Sequence, residues 1–228
     1  MKRILLCIVL SLIIVYADAQ VMRTEELEKY AVEKYGENWQ EAALNLVKEL
    51  QLDKNNSLTY TQVIDCGNQT KDRLYIILNH WFTETFNDAN AVIKLNERDL
   101  GCIIGQGFVP EIAEHIGGIN SYVVNIRPII KVDIKDKKIR VTYTVQYYDV
   151  TKENGGGFIG AMGGTVPMRS DEKWMLETCF PFVAKDGHRA KKTSSKALVM
   201  THAYSNVIMD KIEEAVKNGL VGNENDDW

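Results

Sequence analysis

The sequence predicts an α+β fold, in which helices cover one face of an antiparallel sheet and a short helical segment precedes it. Apolar and polar residues alternate along most of residues 122–147, as in strands that are covered on one face only. In Thr70–Phe86 and Ser194–Asn218, apolar residues recur every three or four positions, as in amphipathic helices. Together, the two patterns place apolar helix faces against the apolar face of a sheet.

The first twenty residues have the pattern of a secretory signal. Two basic residues precede an apolar run from Ile4 to Tyr16, and the tripeptide Ala-Asp-Ala that ends at Ala19 has the form of a cleavage site. The run is too short for a bilayer core of ~30 Å, which needs ~20 residues, and no later run could span a membrane. We therefore expect removal of residues 1–19, with Gln20 as the new N-terminus, and a periplasmic or extracellular location. An uncleaved anchor is the alternative.

The composition indicates a globular protein with a substantial core, because 45% of its 228 residues are hydrophobic and 25% are charged. Cleavage after Ala19 would remove Lys2, Arg3 and Asp18 from 27 basic and 31 acidic residues, which leaves 25 basic and 30 acidic ones. This acidic excess argues against general electrostatic binding to DNA or to an anionic membrane surface. We therefore expect no nucleic-acid partner.

Three cysteines would remain after cleavage, namely Cys66, Cys102 and Cys179. An odd number excludes a complete set of internal disulfides, although an exported destination permits one bridge. Cys66 and Cys102 lie in predicted strands and could form it. Three buried thiols are the alternative.

The N-terminal extension, residues 20–56, is expected to contain two short helices between residues 23 and 51, interrupted at Gly36-Glu37-Asn38. The main domain is expected at residues 57–220, and an acidic tail at residues 221–228.

The main domain is expected to begin with a strand at residues 57–66 and the helix from Thr70. The apolar residues of this helix form one stripe, which we expect to pack on the sheet: Leu74, Ile77, Leu78, Trp81 and Phe82. Two short strands should follow before residue 110. The second contains Gly101, Gly105 and Gly107, which indicate a bulge or a closely packed neighbour.

The clearest element is a long hairpin over residues 122–147, with its turn at Lys135–Lys138. Its apolar face should pack against the stripe of the preceding helix. Pro128 cannot donate a hydrogen bond between strands, so it marks a bend or an edge.

A glycine-rich stretch, residues 155–164, and an irregular apolar piece, residues 173–183, should follow the hairpin. The final helix is expected to have Ser194 or Ser195 as its N-cap and Gly219 as its C-cap. Lys191 and Lys192 are expected outside it, because lysines in a first turn oppose the helix dipole.

Four segments of the sequence resemble a known family: "LTYTQVID", "TKDRLYIILNHWF", "DANAVIKLNERDLGCIIGQG" and "VDIKDKKIRVTYTV". Together they resemble domain of unknown function 4468, an uncharacterised family of secreted Bacteroidetes proteins with a fold like that of the TATA-binding protein (TBP). The resemblance covers residues 58–150 and implies a curved antiparallel sheet with two helices on one face. It implies no functional site. In one respect the sequence departs from the expected pattern, since Lys137 stands where a glycine is expected after the aspartate of the hairpin turn.

The sequence contains no phosphate-binding P-loop, no dinucleotide fingerprint, no paired C-x-x-C zinc motif and no serine-hydrolase elbow. We expect no cofactor and no metal. His115, with Glu111 and Glu114 nearby in sequence, could form an acid–base or metal cluster; a solvated loop histidine is the alternative. Arg127 and Arg140, on the polar face of the hairpin, are further candidates for ligand binding.

Within the glycine-rich stretch, Phe158, Ile159 and Met162 would need apolar contacts. They could fold back onto the core, or they could form a loop that contacts a partner or a membrane surface.

Three functions remain open at this stage. An exported binding or interaction module, with an envelope protein or a ligand as its partner, is favoured. The alternatives are a periplasmic hydrolase with an unrecognised site and, by analogy of fold alone, nucleic-acid binding.

Overall fold

A computed structural model of the protein describes residues 21–86, 93–117, 120–154, 168–183 and 191–219. Three of the sequence predictions lie outside these ranges: the signal segment with its cleavage point between Ala19 and Gln20, the loop residues Phe158, Ile159 and Met162, and the acidic tail.

The described residues contain nine β-strands: β1 (Leu58–Asp65), β2 (Ile93–Glu97), β3 (Cys102–Gln106), β4 (Val109–Ile116), β5 (Asn120–Ile126), β6 (Ile129–Lys135), β7 (Lys138–Val145), β8 (Tyr147–Asn154) and β9 (Met168–Met175). All pairs are antiparallel. One half of the sheet has the strand order β1-β7-β6-β3-β2, and the other half has the order β4-β5-β8-β9.

Three long strands run through both halves of the sheet and bend where they cross from one half to the other. β3 continues into β4 at Gly107-Phe108, β5 into β6 at Arg127-Pro128, and β7 into β8 at Gln146. The halves therefore form one curved antiparallel sheet, as predicted, and Pro128 marks its bend. The predicted hairpin forms with its turn at Lys135–Lys138, and its first strand is interrupted at Arg127-Pro128, where the sequence predicts a bend or an edge.

Four α-helices lie within the described ranges: α1 (Thr24–Tyr35), α2 (Trp39–Leu46), α3 (Lys71–Phe86) and α4 (Lys192–Asn218). α3 and α4 cover one face of the sheet, and α1 and α2 pack against α4. Asn38 caps α2 by accepting a hydrogen bond from the backbone N–H of Glu41. None of these four helices is long and apolar enough to cross a membrane.

The predicted core is confirmed. All five residues of the predicted α3 stripe are buried. The apolar face of the strands opposite is buried with them: Val124, Ile126, Ile130, Val132, Val141, Tyr143 and Val145.

Three strands lie wholly or largely beyond the predicted ones: β4, β8, which continues past the predicted end of the hairpin at residue 147, and β9. β4 extends to Ile116, so His115 lies in a strand and not in a loop. β9 runs through part of the segment that is predicted to be irregular. β4 has a bulge in which Glu111 has a φ of 56°, and the inward positions of β9 include Ser170 and Glu172, so neither strand shows a clean alternation in its sequence.

α4 begins at Lys192, which the sequence analysis places outside the helix, and neither predicted serine cap forms. The hydroxyls of Ser194 and Ser195 donate to the carbonyl oxygen of Lys191, at 3.3 and 2.8 Å, and both serines are buried inside the first turn. At its other end, Gly219 ends the helix as predicted, with a φ of 71°.

The three cysteines are free thiols. Cys66 and Cys179 are buried and Cys102 is half-buried, so the Cys66–Cys102 bridge does not form.

Candidate functional site

A cavity of about 690 Å³ lies between the inner face of the β4–β5–β8–β9 half-sheet and the start of α4. Pockets for small ligands usually have volumes of ~300–1,000 Å³. The sheet contributes His115, Asn120, Tyr122, Lys152, Glu172 and Trp174 to its lining. A 3₁₀ turn at Leu176–Thr178 and the residue after it contribute Thr178 and Cys179, and the start of α4 contributes residues 191–194.

The pairing of the strands brings the sheet residues of this cavity together. His115 of β4 lies opposite Tyr122 of β5, which in turn lies opposite Lys152 of β8. Because side chains of directly paired residues point to the same face of a sheet, these three form a row on the inner face. Glu172 and Trp174 lie two residues apart on β9 and point to the same face.

Three aromatic rings lie against one another at the cavity. The rings of His115 and Tyr122 stack with their centroids 4.7 Å apart and their planes at 21°. Trp174 meets Tyr122 edge to face, with centroids 5.5 Å apart and planes at 65°. All three side chains are half-buried. The rings of Tyr122 and Trp174 therefore meet at a corner on the lining of the cavity.

Charged side chains lie beside the rings. Lys152 pairs with Glu172, with 3.6 Å between Nζ and Oε1. Oε2 of Glu172 also accepts a hydrogen bond from the indole N–H of Trp174 at 3.4 Å, which ties the ring to the same ion pair. Lys191 and Lys192 add two amines from the start of α4.

Cys179 lines the cavity as a thiol. Burial raises its pKa to about 11, and the Thr178 hydroxyl and the charge of Lys191 offset this only in part. Thiolates are the nucleophilic form of cysteine, so this side chain is unsuited to covalent chemistry near neutral pH.

His115 and Glu111 belong to different places on the sheet. His115 lines the inner cavity, whereas Glu111 lines a groove of about 640 Å³ on the outer face. Glu114 precedes His115 directly in a strand, so its side chain points to the opposite face. The three residues that are close in sequence therefore do not converge on one site.

Arg127 lines the outer groove and is already engaged there. Its guanidinium pairs with Asp149 and lies 4.5 Å from the centre of the Phe108 ring. Asp149 therefore neutralises the charge of Arg127, and the Phe108 ring covers one face of its guanidinium.

Arg140 lies on the outer face of the other half-sheet, in a network of three charges. Asp133 pairs with Arg140 at 2.7 Å and with Lys131 at 2.8 Å. Although burial alone would raise the pKa of Asp133, the hydrogen bonds from Lys131 and Arg140 hold it below the ordinary value. The outer face therefore alternates in charge and offers no continuous basic strip along the described strands.

No group of three or more His, Cys, Asp or Glu side chains that could hold a metal ion is found in the part of the chain that the structure describes.

Residues 60–148 match the model of a protein family described as "Domain of unknown function (DUF4468) with TBP-like fold". This segment is similar to the members of that family. The match runs from within β1 to the start of β8 and includes α3.

Two solved structures resemble this chain. A TBP-like protein from Parabacteroides distasonis ATCC 8503 is 10% identical, with a TM-score of 0.47, over 73% of this chain and 97% of its own. A DUF4468 family protein from Bacteroides ovatus ATCC 8483 is 11% identical, with a TM-score of 0.42, over 70% of this chain and 88% of its own. No protein with curated annotation matches this sequence.

The cavity is only partly built from the DUF4468 segment. His115 and Tyr122 lie inside residues 60–148, whereas Lys152, Trp174 and the lysines of α4 lie outside them. The family match therefore covers one wall of the cavity and not the others.

Of the residues at this cavity, the sequence suggests His115 as a site candidate, and it places Lys191 and Lys192 in a basic segment that could bind a polyanion or simply be solvated. Tyr122 carries no distinguishing signal, because its position in the alternating pattern is that of an ordinary inward residue. Trp174 shares the inward face of β9 with Met168, Ser170 and Glu172, which show no regular apolar pattern. An inward tryptophan beside polar residues on a strand suggests a ring that faces a ligand. This signal can be recognised only after β9 has been identified.

Proposed function

We propose that the protein is an exported binding module that holds a small ligand in the cavity between the β4–β5–β8–β9 half-sheet and α4. The observation that carries this proposal is the corner formed by Tyr122 and Trp174 in a cavity of about 690 Å³. Half-buried aromatic rings in a concave site supply contact area and orientation to a ligand.

Binding, rather than catalysis, is the activity that these side chains support best. General acid–base chemistry needs titratable groups that converge on the reacting proton, and Glu172 is the one carboxylate that lines the cavity with His115 among the described residues. Glu172 is engaged by Lys152 and Trp174. The thiol of Cys179 has a raised pKa.

Export is the second part of the proposal. It is supported by the basic, apolar and Ala-Asp-Ala sections of residues 1–19, which have the order of a secretory signal. The ligand would then be a molecule of the periplasm or of the surroundings of the cell.

Thermal unfolding in the presence of a panel of monosaccharides, amino acids, nucleotides and short peptides tests the binding site. A compound that raises the Tm of the mature chain should have a much smaller effect on Tyr122→Ala. Tyr147→Ala is the matched control, since Tyr147 is a half-buried tyrosine that lines the groove on the outer face. An equal shift in wild type and Tyr122→Ala would contradict the proposed site.

A further inference from the structure

We infer that the ligand of this cavity combines a flat ring with a negatively charged group. The inference rests on the proposed function and specifies the ligand class. It follows from two features of the lining: an excess of positive charge and the ring corner.

The described side chains that line the cavity include three lysines, Lys152, Lys191 and Lys192, and one carboxylate, Glu172. Lys152 is paired with that carboxylate. The amines of Lys191 and Lys192 form no ion pair with any carboxylate in the described ranges. Two positive charges on the lining of a cavity attract an anion and repel a cation.

The backbone adds donors at the same place. The serines that could cap α4 donate their hydroxyls to the carbonyl oxygen of Lys191, and the helix has no side-chain cap. The first N–H groups of a helix have no partner within it, and residues 192–194, which carry these groups in α4, line the cavity. These donors favour an anion at the point where the lysines already attract one.

The ring corner accepts the other part of the ligand. Tyr122 and Trp174 line the same cavity as residues 191–194 of α4. A flat ring that stacks in the corner would direct a charged substituent toward the lysines. Glu172, which accepts from the Trp174 indole, holds one of the two walls in place.

Two fluorescent probes that differ in charge test the ligand class. Anilinonaphthalene sulfonate carries a flat ring system and a sulfonate, and phenylnaphthylamine has a similar ring system without the charge. The double variant Lys191→Gln/Lys192→Gln should weaken binding of the sulfonate by about fivefold, as loss of two exposed charge contacts would, and leave the neutral probe nearly unchanged. The matched control is Lys135→Gln/Lys138→Gln, which removes the same charge from the outer face.

Salt provides a second measurement that requires no variant. Raising NaCl from about 0.05 M to about 0.5 M should weaken binding of the sulfonate and spare the neutral probe, because salt screens exposed charges. Equal losses for the two probes in the lysine variant, or no loss for the sulfonate, would overturn the inference about charge.

The variant Tyr122→Ala separates this inference from the proposed function. If the cavity is the site, the variant weakens both probes. If both probes bind Tyr122→Ala as they bind wild type, the proposed function itself fails, and the inference fails with it.

Discussion

The phenyl ring of Phe82 occupies the space that a side chain on Gly105 would need. Its Cε1 atom lies 2.5 Å from the position where a Cβ on Gly105 would stand, and Phe82 is fully buried. The close neighbour predicted from the glycines of β3 is therefore the ring of Phe82. α3 can approach β3 this closely only because residue 105 lacks a Cβ.

Gly105→Ala should destabilise the protein by about 1–3 kcal/mol, because the added methyl group overpacks a filled core. Urea unfolding measures this loss. Phe82→Leu should also destabilise, and the double variant should lose less than the sum of the two single losses, since the smaller side chain makes room for the methyl. Strict additivity would mean that the two residues do not compete for space.

Lys137→Gly should stabilise the protein by about 0.5–1 kcal/mol. Lys137 has a φ of 68°, a left-handed conformation that costs a residue with a Cβ more than it costs glycine. Lys138→Gly, one residue later at the start of β7, is the control and should destabilise, because glycine weakens a strand. Urea unfolding of both variants tests the turn geometry, and a loss of stability in Lys137→Gly would contradict it.

Stability should fall as the pH drops from about 6.5 toward 4. Burial, and secondarily the charge of Lys34, lower the pKa of His202 to about 4, and its Nδ1 is buried without a hydrogen-bond partner. Between these pH values the unfolded chain binds a proton at this histidine and the folded chain does not, so acid favours unfolding. Thermal unfolding across the range measures the effect.

His202→Phe separates this histidine from other acid-sensitive groups. The new ring keeps the packing between Tyr35 and Tyr60, each of which lies 5.4 Å from the His202 ring. The variant should lose less stability than wild type over the same pH range. His80→Phe, at a half-exposed position on α3, is the matched control. If wild type and His202→Phe respond to pH in the same way, His202 does not titrate as described.

The protein isolated from native cells should begin at Gln20. Intact mass is the appropriate measurement, because cyclisation of an N-terminal glutamine blocks sequencing from that end. A mass that includes residues 1–19 would contradict the proposed export by a cleaved signal.

The sequence predicts correctly those elements in which apolar residues recur at one regular spacing. The alternation along residues 122–145 and the stripe of α3 are long and regular, so their buried residues are predicted correctly; beyond Gln146 the alternation reverses, and Tyr147 faces outward while Tyr148 is buried. The bend at Pro128 is also visible, because proline cannot join the strand ladder. The sequence does not predict β4, because a bulge at Glu111 interrupts its alternation. It does not predict β9, because the inward positions of that strand lack a regular apolar pattern.

The candidate site is less predictable than the fold, for a physical reason. Its walls come from four strands and a helix that are far apart in sequence, and only the pairing register places Tyr122 beside Lys152, and Trp174 in the same cavity as the start of α4. Glu111 and His115 are close in sequence, which suggests a shared site, but they line opposite faces of the sheet.

The site itself is tested most directly by nuclear magnetic resonance of the mature chain, labelled with ¹⁵N and titrated with anilinonaphthalene sulfonate. The account predicts that the indole signal of Trp174 and the amide signals of Tyr122, Lys152 and residues 192–194 move together and saturate at one probe per chain. Shifts that cluster instead around Arg127 and Tyr147 in the outer groove, or that spread over the surface without saturating, would contradict it.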